Sequence, residues 1–70
     1  MPESKILADN ILALRLGRNE SQLEFAYRCG ISIENLSHIE CEKANPTLST
    51  LQKIAAYTNV TVCELLTSKD

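Results

Sequence analysis

The chain has 70 residues, 44% apolar and 23% charged, with a net charge of −2. One domain of this size buries only about 60% of the surface its unfolded chain exposes, too small a body to enclose a deep catalytic pocket. The balance of apolar and charged residues argues against disorder, no apolar run approaches a membrane span, and the acidic sum gives no electrostatic reason to expect nucleic acid.

The N-terminal segment "MPESKILADN" carries an acid and no basic cluster ahead of a long apolar stretch, so no signal peptide is expected and the expected location is the cytoplasm. Leu7, Ile11 and Leu14 then recur at helical spacing, predicting a first helix over about Ser4 to Arg18. Asn19 stands where a left-handed residue ends a helix. Ser21 and Glu24 form a capping box that opens a second helix, Gln22 to Cys29, expected to bury Leu23, Phe25 and Ala26. Gly30 closes it, because glycine adopts positive φ without steric cost.

Ile31 is expected as a buried turn residue and Ser32 as the cap of a third helix, Ile33 to about Cys41, with Leu36 and Ile39 inward. In "KANPT" the proline pushes Asn45 out of helical geometry. Thr47 caps a fourth helix with Leu48, Leu51, Ile54 and Ala55 inward, and Asn59 ends it. Thr61 and Glu64 form a second capping box, opening a short last helix with Val62, Leu65 and Leu66. The expectation is an all-α bundle of five short helices in a single domain over 1–70, with its core at about 5–67.

Chemistry-bearing patterns are sparse. Cys29, Cys41 and Cys63 are an odd number without Cys-x-x-Cys spacing, and His38 is the single histidine, so free thiols are expected and no disulfide or metal site. A Gly-rich phosphate loop, a paired-carboxylate pocket and a nucleophile with its base are all missing from the pattern. No enzyme and no cofactor are expected.

The eight-residue helix, Gly-centred turn and second short helix make a helix-turn-helix, a weak signal taken alone. The segments "SQLEFA", "GIS", "LSHIE", "KANPTLSTLQKIA" and "VTVCELL" add order and spacing over roughly Leu7 to Leu66. Together they resemble the phage repressor/Cro-like, xenobiotic-response-element type of helix-turn-helix family. The resemblance implies a compact five-helix, lambda-repressor-like domain that binds double-stranded operator DNA as a homodimer, its third helix entering the major groove. It further implies that Gln22 contacts a DNA phosphate. Ile33, Glu34, Ser37 and His38 match the positions that meet base edges, Lys43 and Asn45 match loop positions near the backbone, and Arg15 and Glu40 match a pair tying the first helix to the third.

Charge and departures from the pattern complicate that picture. Between Glu20 and Asn45 there are five acids against two bases, Arg28 and Lys43. If Glu40 pairs with Arg15, and Glu24 is held in its capping box, Glu34 is the acid of the third helix left to explain: it suits the helix dipole, and it can also accept from a cytosine amino group. Arg28, Lys43 and Arg18 are the candidates for reaching phosphates. Glu42 stands where the family usually has glycine, so either a strained turn or a longer third helix is expected. Thr58 replaces a common leucine, and Leu12 and Leu16 lie off the first helix's inward stripe, as single exposed leucines or as a surface for a protein partner. Two functions compete: a homodimeric regulator, expected to be a repressor of a short palindrome, and a protein-interaction or anti-repressor module that has lost DNA binding.

Overall fold

Side-chain caps and left-handed residues divide the chain. In the computed structural model, which describes residues 3–43 and 45–68, the helices are α1 (Glu3–Gly17), α2 (Gln22–Cys29), α3 (Ile33–Glu40), α4 (Leu48–Thr58) and α5 (Val62–Leu65). Among the described residues there is no strand. The expected outer limits of the domain, 1 and 70, lie outside them.

Ser21, Ser32, Thr47 and Thr61 each precede a helix in extended geometry, and each hydroxyl accepts the amide three residues on. Both capping boxes are complete: Glu24 accepts from the Ser21 amide and Glu64 from that of Thr61, each at 3.0 Å. Asn19, Gly30 and Asn59 turn the chain with φ of 56°, 82° and 59°. After α2 the Ile31 amide reaches the Ala26 carbonyl at 3.0 Å while its side chain packs on the core, the hydrophobic contact that usually accompanies such a stop.

The principal helix pairings close a ring: α1 on α3, α3 on α2, α2 on α4, α4 on α5, and α5 back on α1. Phe25 sits inside that ring fully buried, together with Ile11, Leu36, Ile39, Ile54 and Leu65. Each such side chain contributes about 1.5–3 kcal/mol of burial. Buried Asn10 locks the ring, its amide donating to the carbonyl of Leu65, the last residue of the four-residue α5, at 2.8 Å and to that of Thr67, just beyond it, at 3.0 Å. Thr58 is buried as well, and its hydroxyl donates back to the Ile54 carbonyl at 2.7 Å. The polar group is satisfied, at the cost of the apolar area a leucine would bury.

Two leucines expected in the core are outside it. Leu23 is 63% exposed, because Phe25, Ala26 and Cys29 define the inward face of α2 and a residue two before Phe25 points away from it. Leu48 is 61% exposed. It shares the stripe of Leu51, Ile54 and Ala55, but it is the first residue of α4 and projects past the end of the core.

The third helix does not run on. Glu42 itself takes the left-handed conformation, φ 63°, with its amide on the Ile39 carbonyl at 3.1 Å and the Lys43 amide on that of His38 at 2.8 Å. This is the double hydrogen bond of a glycine stop built on a glutamate. Left-handed geometry costs a side chain about 1–2 kcal/mol. Glycine would remove that cost and return about 0.4–1 kcal/mol through a freer unfolded chain. Glu42→Gly is therefore expected to stabilise the domain by about 0.5–1 kcal/mol, seen as a higher urea midpoint at unchanged m-value.

Candidate nucleic-acid interface

Helix α3 buries Leu36 and Ile39, so helical periodicity puts Ile33, Glu34, Ser37 and His38 on its outward side. Ile33, Glu34 and His38 are exposed and Ser37 is half-buried. The helix is fixed against its neighbours from the other side: the Ser32 hydroxyl caps it, and the Asn35 amide reaches the Thr50 hydroxyl of α4 at 3.5 Å. Lys43 and Asn45 follow in the connection to α4, both exposed.

Gln22 starts α2, and its side chain meets the far end of α3. Its amide Nε2 donates to Glu40 Oε1 at 2.8 Å. The same carboxylate receives Arg15 in a forked ion pair, Nε to Oε2 at 2.8 Å and Nη2 to Oε1 at 3.1 Å. Arg15 Nη1 also donates to the backbone carbonyl of Glu20 at 3.0 Å. The Arg15 and Glu40 side chains are only 14% and 6% exposed, so Glu40 adds no open negative charge to the outward face. The hydrogen bond to Glu40 holds the Arg15 guanidinium above its ordinary pKa. At the start of α2 the amides of Gln22 and Leu23 find no acceptor among the described residues, and a free helix start of this kind suits an anion.

A second polar knot lies where α1 turns into α2, and sequence reasoning passed over it. The buried Glu20 carboxylate accepts from the Tyr57 hydroxyl and from Arg28 Nη1, both at 2.6 Å, and from Arg18 Nε at 3.2 Å. The Arg18 guanidinium lies 4.4 Å from the centre of the Tyr57 ring, which meets the Phe25 ring in a T-shaped contact at 5.7 Å between centroids. Tyr57 first, then Arg28 and Arg18, hold the Glu20 carboxyl below the usual carboxylate range, against the opposing effect of burial. Its partners lie 2, 8 and 37 residues away in sequence, so no local spacing announces them.

This knot bears on the expected phosphate contacts. Arg18 and Arg28, two of the expected phosphate contacts, are engaged by Glu20, while Lys5 pairs with Asp9 at 3.2 Å. Among the described residues Lys43 and Lys53 are the lysines and arginines without a carboxylate partner. Leu12 is half-buried and Leu16 is 60% exposed, so of that expected pair Leu16 offers the larger apolar surface. Tyr27, at 84% exposure, and Leu23 form a further exposed apolar pair one turn apart on α2. Among the described residues no group of three His, Cys, Asp or Glu side chains could hold a metal, and no helix is long and apolar enough to cross a membrane. The cysteines are free; burial pushes the Cys29 thiol up to about 11.

Five helices with a capped helix, a glycine turn and a second helix presenting a polar outward side define a helix-turn-helix domain. The helix-turn-helix family pattern matches residues 11–65, and the chain belongs to that family, in its Cro/C1-type branch. It is 34% identical over 70 residues to an uncharacterised helix-turn-helix-type transcriptional regulator of Sinorhizobium fredii, covering all of this chain and 91% of that one. It is 42% identical over 53 residues to the antitoxin HigA1 of Mycobacterium tuberculosis, covering 76% of this chain and 36% of that protein. The chain thus spans about a third of the antitoxin's length. The crystal structure of a hypothetical transcription factor from Neisseria superposes with a TM-score of 0.90 at 31% identity, over 97% of this chain and 78% of that one.

The Glu20 knot fixes the sign of a pH effect. A carboxyl held low in the folded state stabilises above its unfolded pKa of about 4.3 and loses that contribution as pH falls through the folded value. Wild-type melting temperature is expected to decline below about pH 5. Glu20→Gln should melt lower at neutral pH and show a shallower acid decline, read from thermal unfolding across the acid range.

Proposed function

We propose that this chain is a sequence-specific DNA-binding regulator, acting as a repressor in the cytoplasm and binding a short palindromic operator as a homodimer. The observation that carries the reading is the outward face of α3, where Ile33, Glu34, Ser37 and His38 stand together on a helix held from behind by α1, α2 and α4. Family membership supports DNA as the partner. On this reading Gln22, Lys43 and Asn45 contact the phosphate backbone and set the register, while the α3 side chains read bases. Glu34 accepts from a cytosine amino group, Ile33 meets a thymine methyl, and His38 serves guanine or a phosphate. Half-sites about one helical turn apart would match a two-fold dimer.

The second reading is a protein-interaction or anti-repressor module. It draws support from the arginines engaged by Glu20 and Glu40 and from the exposed Leu16, Leu23 and Tyr27. Likeness to a protein named an antitoxin points the same way.

Selection of the purified protein against a random-sequence duplex library at low salt separates the two. A palindromic motif supports the regulator. No enrichment, with weak binding that vanishes near physiological salt, supports the interaction module. On a selected duplex Lys43→Ala should flatten the log–log salt dependence by about one unit and weaken all sequences alike; an unchanged slope would remove Lys43 from the phosphate contacts. Repeating the selection with Glu34→Ala should relax the preference at one or two positions, and an identical motif would remove Glu34 from the readers.

A further inference from the structure

We propose that Glu40 is a positioning residue for DNA binding: it holds the Gln22 side chain in the orientation that meets a phosphate. The proposal rests on the DNA-binding reading above and adds a role for an acidic residue that composition alone would count against it. Gln22 occupies the first position of α2, where an unrestrained glutamine samples many rotamers and must be ordered before it can bind. Here one of its two amide N–H groups is taken by Glu40 Oε1 at 2.8 Å, which leaves the second N–H and the side-chain carbonyl free.

The acceptor is itself immobile. Arg15 grips both carboxylate oxygens, at 2.8 and 3.1 Å, and is in turn fixed by the Glu20 carbonyl at 3.0 Å. A chain of hydrogen bonds therefore runs from the α1–α2 turn through Arg15 and Glu40 to Gln22. Its last free donor sits at the start of α2, beside the unpartnered amides of Gln22 and Leu23. With Arg15 beside it and 6% exposure, the carboxylate orients the glutamine without presenting its charge to the approaching backbone.

A charge-conserving cycle tests this. Glu40→Asp keeps the negative charge and an acceptor for Arg15 but withdraws the carboxylate from Gln22 by one methylene. Wild type, Q22A, E40D and the double variant are titrated with a random-sequence duplex of about 20 base pairs at low salt, because phosphate contact needs no particular sequence. E40D is expected to weaken binding by about three- to tenfold when Gln22 is present and by less than about twofold in the Q22A background. Equal loss in both backgrounds would mean that Glu40 acts through the fold alone and would overturn the proposal. Tighter binding only in the presence of Gln22 would make Glu40 a competitor of the phosphate, which also overturns it. Absence of duplex binding by wild type would remove the DNA-binding reading together with this role, whereas binding without coupling removes this role only.

Should E40D unfold, side-chain amide NMR of the wild-type protein gives the answer. The Gln22 amide should be rigid with and without the duplex, measured against Gln52, which is exposed on α4. Motion equal to that of Gln52 would overturn the proposal.

Discussion

Three helices meet at one carboxylate. Glu40, the last residue of α3, accepts from Arg15 on α1 and from Gln22 at the start of α2, so the two arms of the helix-turn-helix and the helix behind them share an acceptor. Dispersion and burial hold α2 and α3 together without themselves being directional. A forked guanidinium–carboxylate contact is directional, and it fixes the rotation of α3 relative to the rest. Buried ion pairs add little net stability, so their value here lies in that specification of geometry.

The same economy explains how an acidic chain holds a helix-turn-helix fold. A sum of charges says little when the charges are matched: Glu40 answers Arg15, Glu20 answers Arg18 and Arg28, and Glu24 and Glu64 close their own helix starts. The acids cancelled in this way are structural. The cancellation works in both directions, since it also removes three arginines from the cations available to a polyanion. Shape and hydrogen bonding must then supply more of any DNA affinity than long-range attraction does.

Helix limits were legible because their causes are local. A serine or threonine and a glutamate three residues on describe one turn of chain, and a left-handed asparagine or glycine describes a single residue. Core membership was less so. Leu23 and Leu48 are as apolar as their buried neighbours, and only the direction of α2 and the length of the core beneath α4 decide their exposure. Glu20 and Asn10 were illegible for a different reason, since each meets partners that only the closed tertiary structure brings near. For the candidate site, Ile33, Glu34, Ser37 and His38 were singled out by the family resemblance, and they lie on the side of α3 away from the buried Leu36 and Ile39. Base reading by those side chains is a property of two molecules, so one chain encodes their placement and not their partners.

The ring of helix pairings bears on how the domain comes into being. Asn10 finds its acceptors at Leu65 and Thr67, 55 and 57 residues along the chain, so α1 cannot complete its environment until α5 has been synthesised. Until then a nascent chain exposes the α1 face that α5 will cover. Once the ring closes, no helix can depart without breaking two interfaces, and partial unfolding from either flank is costly. Closure over so long a separation slows folding relative to a bundle of local hairpins. It gives in return a domain that opens as one unit, in which the orientation of the outward helix persists for as long as the fold does.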